Sequence, residues 1–124
     1  METIIIREDC KVIEARKAML DNSYFNDVAM TNVTIINANL SDLEIEGAQI
    51  GGAYIHNIGV PPVDHPMYDP AFKHRPVRFE DCDLNNSAFK NCDLSGVSIT
   101  DSNLSGMQIN GINVEELLGS YNKK

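Results

Sequence analysis

A chain of 124 residues, 43% hydrophobic, with 18 acidic against 10 basic side chains and a net charge of −8, holds one domain's worth of material and a modest core. The negative balance disfavours direct contact with nucleic acid or an anionic membrane, and no apolar run approaches the roughly 20 residues that cross a bilayer. Met1 is followed within eight residues by Arg7, Glu8 and Asp9, so no signal peptide is expected and the protein is read as cytoplasmic.

Residues 1–17 open the chain. The β-rich stretch 2–6 (ETIII) is expected to lie as a cap along the first repeat units. Residues 8–17 fit neither a clean helix nor a clean repeat. Cys10 and Ala15 extend backwards the apolar column of the repeats, which favours a degenerate first coil over a capping helix.

Residues 18–60 read in fives: AMLDN SYFND VAMTN VTIIN ANLSD LEIEG AQIGG AYIHN IGV. The third residue of each unit is apolar, the first is small or apolar, and the fifth is Asp, Asn or Gly. On an extended chain, residues two apart point to the same side, so columns one and three face one interior. Asp, Asn and Gly tolerate left-handed backbone and tight turns. Each unit is therefore a three-residue strand and a corner.

Residues 61–76 (PPVDHPMYDPAFKHRP) interrupt the pattern and hold all 5 prolines. Val60 and Phe79, the apolar centres on either side, are nineteen apart, one short of four units, so the segment either skirts the outside as a loop or replaces part of a turn. Loops of this length in compact domains are usually functional or disordered; Met67, Tyr68 and Phe72 favour one that packs back on a face.

Residues 77–114 resume the cut in a new frame: VRFED CDLNN SAFKN CDLSG VSITD SNLSG MQING INV. Over both blocks all seventeen third positions are apolar, a match expected by chance roughly once in a million trials. A period of five does not keep one face of a 3.6-residue helix inward, and a corner after every third residue is too early for hairpin sheets. What remains is a coil that stacks on itself, a parallel β-solenoid. Cys82 and Cys92 fall in the inward small-residue column. With Cys10 they are expected to be reduced core residues.

The units ANLSD, AQIGG, CDLNN, CDLSG and SNLSG resemble the A(D/N)Lxx motif of the pentapeptide-repeat family. The resemblance covers about two thirds of the chain. It implies an all-β, right-handed, quadrilateral parallel β-helix with four units per coil, about four coils here. Leu43, Ile58, Met107 and Ile112 are large where the family favours small residues, and their corners are expected to be wider.

In residues 115–124, Asn113 stands before Val114 with Glu116 three residues on, as in a capping box, and a short helix ending near Gly119 is expected. Leu117, Leu118 and Tyr121 would then plug the coil end or form a homodimer through it, as relatives do. The chain is thus one domain, 1–124, made of a cap (1–17), a repeat block (18–60), an inserted loop (61–76), a second block (77–114) and a helical tail (115–124).

The repeats carry the excess charge: five acids and no base in 18–60, and five acids against Arg78 and Lys90 in 77–114. The candidate partner-binding residues are Glu44, Glu46, Glu80, Asp81 and Asp83 on the repeats, and His65, Tyr68 and Phe72 in the interruption. The pairs Glu44/Glu46 and Asp81/Asp83 alternate on flat faces with no cleft, so they read as solvated faces and not as a carboxylate dyad. His56, His65 and His74, spaced by nine, form no ligand signature, and no metal or other cofactor is expected. With no phosphate loop and no nucleophile near a base, the chain is not read as an enzyme.

Three functions remain. One is a binding or scaffold module for a protein partner, using 61–76 and one flat face. The second, implied by resemblance to quinolone-resistance relatives, is an acidic mimic of DNA acting on a type II topoisomerase (gyrase). The third is a small-molecule or metal site under the loop.

Overall fold

In the computed structural model, residues 2–123 are described. The local rule of the repeat is visible at once in the backbone. In the first block the fifth-position residues Asn22, Asp27, Asn32, Asn37, Asp42, Gly47, Gly52 and Asn57 all have positive φ, between 52° and 80°. In the second, Asp81, Asn86, Asn91, Gly96, Asp101, Gly106 and Gly111 do the same, between 50° and 78°. Left-handed backbone costs most L-residues about 1–2 kcal/mol, and Gly, Asn and Asp least, so the fifth column is a column of corners for a physical reason.

The corners are of two kinds, and they alternate. Turns occur at residues 21–22, 31–32, 41–42 and 51–52, then at 85–86, 95–96 and 105–106. In most of these the first-column amide donates across the corner to the preceding third-column carbonyl, as from Ser23 to Leu20 (3.3 Å), Ala53 to Ile50 (2.9 Å) and Met107 to Leu104 (3.0 Å). Positive φ at the third of four residues is the type II pattern. The intervening corners, at residues 27, 37, 47 and 57 and again at 81, 91 and 101, are open bends. The true repeat is thus ten residues long.

Asx side chains prepare the closed corners. Oδ1 of Asn39, Asp83, Asp93 and Asn103 accepts from the amides of Ser41, Asn85, Ser95 and Ser105, at 3.0–3.1 Å. Side chains bridge the open corners of the second block. Cys82 Sγ donates to the Glu80 carbonyl (3.2 Å), Cys92 Sγ to that of Lys90 (3.4 Å) and Ser102 Oγ to that of Thr100 (2.8 Å).

The chain divides into two units, Met1–His56 and Asn57–Lys124. In the first, residues 2–7 and 19–24 border an open recess of about 540 Å3, which puts the amino-terminal stretch beside the first corner without a strand pairing. Residues 8–17 form no helix. Lys17 has φ 52°, ten residues before Asp27, so residues 13–17 extend the repeat backwards by one unit. Ion pairs between Lys11 and Asp9 and between Arg16 and Glu14 are exposed and contribute little.

The second unit holds the regular secondary structure of the described residues. Strand β1 (Gln108–Ile109) pairs antiparallel with β2 (Ile112–Asn113), Ile109 opposite Ile112. Asn110 (φ 50°) and Gly111 (φ 78°) make the connection, a type I′ pattern for which Asn-Gly is the favoured pair. The last repeat units are therefore a hairpin, where the fives pattern led one to expect another corner. Helix α1 (Val114–Asn122) comes directly after it. Asn113 caps it, its Oδ1 accepting from the Glu116 amide at 3.1 Å, with Glu115 and Glu116 at the positive end of the dipole. The helix does not stop at Gly119, because one glycine costs only about 1 kcal/mol and the hydrogen bonds of the last turn offset it.

Several expectations are corrected here. Among the described residues no stacked solenoid is formed: outside hairpin and helix, nearly every backbone bond spans three residues, the exception being Val114 to Met107 (3.0 Å). The inward columns are open, with Leu20 60%, Phe89 64% and Leu84 37% exposed, so they realise only part of the roughly 1.5–3 kcal/mol that full burial of each would give. Cys10, Cys82 and Cys92 are free thiols on the surface and not core residues. Met67, Tyr68 and Phe72 are exposed and do not pack back on a face. Leu117, Leu118 and Tyr121 plug nothing, and the buried apolar residue is Val114, 8% exposed where helix meets hairpin. The physical division is one of range. A corner needs only three or four consecutive residues, whereas a coil-to-coil ladder must join groups about twenty residues apart and overcome loop-closure entropy first.

Candidate recognition surface

Of the eight candidate residues, only two lack a local role. Glu44 and Glu46 flank Ile45 in an open-corner unit and hold no hydrogen bond or ion pair among the described residues. Asp81 is itself a corner (φ 54°), and Asp83 closes the Asx turn to Asn85. Glu80 faces Arg78 at 3.6 Å, while its carbonyl accepts from Cys82. The expected acidic face at 80–83 is thus largely turn chemistry. Asp93, which the sequence reading did not single out, shows it most clearly. The Ser95 hydroxyl (2.6 Å) and then the Ser95 amide (3.0 Å) hold its carboxyl below the usual carboxylate range.

Residues 61–76 are shaped by successive turns. The His65 amide donates to the Pro62 carbonyl, Tyr68 to His65 and Phe72 to Asp69, at 2.9–3.0 Å. His65 Nδ1 accepts from the Met67 amide (3.0 Å), and Asp69 Oδ1 from that of Ala71 (2.9 Å). The segment therefore fixes its own backbone while presenting Met67, Tyr68 and Phe72 to solvent. Prolines set φ, and Asx-type bonds set the turns.

A further pair was missed. The rings of Tyr54 and His56 stack with centroids 4.0 Å apart and planes at 16°. Two aromatic rings two residues apart on an extended triplet share one side, and that spacing was legible in AYIHN. The three histidines do not assemble into a site: no cluster of three or more His, Cys, Asp or Glu suited to a metal ion occurs among the described residues. No helix there is long and apolar enough to cross a membrane.

Residues 78–115 match the family model for pentapeptide repeats, in eight copies. Residues 78–115 are thus a pentapeptide-repeat segment. Pentapeptide repeats imply a β-helix fold, and the corners give that implication its local form. The first block lies outside the matched stretch, yet its corners have the same signs of φ and the same alternation of turn and bend, so the backbone rule of the pentapeptide repeat extends over it. No curated protein and no solved structure matches the chain.

Proposed function

We propose that the chain is a non-catalytic binding or scaffold module. The repeats serve as its frame, and residues 61–76 meet a protein partner. The frame is read as the right-handed, four-sided β-helix of about four coils, with columns one and three closed inward. Its homodimer contact would be the exposed Leu117, Leu118 and Tyr121 of α1.

The observation that carries this reading is what the repeats do with their acids. Asp27, Asp42, Asp81 and Asp101 stand at left-handed corners, and Asp83 and Asp93 close Asx turns. At equivalent positions Asn or Gly does the same work, so these six carboxylates are accounted for by backbone geometry without a partner. Their presence therefore needs no charge-seeking partner to explain it, and the acidic balance by itself is no argument for mimicry of DNA. It leaves the side chains of Tyr68 and Phe72 exposed on a shaped segment whose turns their own amides close.

The test compares three immobilised proteins in a cell lysate at about 50 and 200 mM salt: wild type, Tyr68→Ala with Phe72→Ala, and Glu44→Lys with Glu46→Lys. A protein retained by wild type and by the charge variant, lost with the aromatic variant and indifferent to salt supports the module. Retention that salt and the charge variant abolish supports the acidic mimic, because contacts between exposed charges are screened over about 8–10 Å at these concentrations.

A further inference from the structure

The alternation of corners says what residues 61–76 replace. Closed turns fall at 41–42 and 51–52, with open bends at 47 and 57, so the next closed turn is due at residues 61–62. No turn forms there. The position that must take positive φ is occupied by Pro62, whose ring holds φ near −65°. Pro76 stands in the same way directly before Val77, where the next unit begins. A corner is thus forbidden at both points.

When the repeat resumes, its first corner is the open bend at Asp81 and its next the closed turn at 85–86. In this alternation an open bend comes after a closed turn. Taking fourteen residues out, 63–76, leaves Asn57 and Asp81 ten apart and the alternation unbroken. Had the segment replaced one unit or three, a closed turn would come first. Had it replaced two, it would carry corners of its own, yet no residue from 60 to 80 has positive φ.

The geometry points to residues 63–76 as a finger inserted into a single corner of one alternating repeat, displaced by Pro62, and standing in for no part of a coil. The surface it presents is then independent of the repeat that carries it. The inference does not depend on what the finger binds.

Excision of residues 63–76 together with Pro62→Gly joins Val60, Pro61 and the new glycine to Val77. Pro followed by Gly is the favoured centre of a type II turn, and the Val77 amide would donate to the Val60 carbonyl. The excised chain should keep the wild-type far-ultraviolet spectrum and a cooperative melt at a midpoint no lower than wild type. In a second pair, Gly/Ser linkers of 14 and 28 residues in place of 63–76 should melt within about 5 °C of each other, because loop-closure entropy grows only slowly with loop length. Loss of the cooperative melt on excision, or a steep dependence on linker length, would show that the segment belongs to a coil and overturn the proposal. Failure of Tyr68→Ala with Phe72→Ala to alter partner retention would count against the proposed function and leave the insertion untouched.

Discussion

Asn86 and its equivalents show how much a single position decides. With φ at 60°, Asn86 sits where a β-branched residue is a steric outlier, so Asn86→Val should lower stability by about 1–2 kcal/mol, while Asn86→Gly should leave it nearly unchanged. Urea unfolding of the two variants beside wild type measures the difference. Asp93 supplies a pH dependence whose sign comes from its lowered pKa. A carboxyl that is more acidic folded than unfolded stabilises the fold above its unfolded value and loses that contribution as pH falls through the folded one. Relative to wild type, Ser95→Ala should therefore lower the melting midpoint near neutral pH, and the gap should close as pH drops below about 3.8, the ordinary value. An NMR titration of the Asp93 carboxyl in both proteins checks it directly. These residue-scale features were partly legible. The fifth column reads correctly as corners, but in the sequence the Asx caps look like outward charge and Cys82 and Cys92 like core, because column membership says which side a residue is on and not which nearby carbonyl or amide it will reach.

At the scale of elements, the carboxy-terminal helix is where sequence and structure agree best. Asn113 and Glu116 bond as the capping-box spacing anticipates, and Asn113→Ala should cost about 1 kcal/mol. The end differs, since α1 continues through Gly119 to Asn122. At Gly119 no atom lies within 4 Å of an added Cβ and φ is not positive. Gly119→Ala should thus stabilise the protein by about 0.5–1 kcal/mol, read as a rise in the urea midpoint. A fall would mean that Gly119 ends the helix in solution. The hairpin β1–β2 was readable in QINGIN, where Asn-Gly between apolar residues is a strong hairpin signal. The fives frame hid it, since Gly111 also fills a corner position. The ten-residue alternation went unseen for a related reason: its sign is weak, a fourth-position Ser or Gly at Ser41, Gly51, Ser95 and Ser105 of the closed corners and at none of the open ones, while Asp21, Thr31 and Asn85 close turns without it.

For the whole molecule, the decisive question is closure of the columns. In the proposed β-helix Leu84→Asp buries an unpaired carboxylate between coils and should cost several kcal/mol, roughly 3 or more, with Asp83→Asn as a control that keeps its acceptor. A loss under about 1 kcal/mol would fit columns as open as the 37% exposure of Leu84 and would end the closed-coil reading. Residue order alone sets the period, the positions of the corners, the capped helix and the interruption at 61–76, because each of these is settled by a few adjacent residues and the torsions they allow. Only the three-dimensional arrangement decided that corners alternate between closed and open, that Asp83 and Asp93 serve turns, that Cys82 and Cys92 reach carbonyls at the surface, and that Tyr54 stacks on His56. Those outcomes depend on distances and directions between groups, and a residue's type restricts such distances without choosing among them.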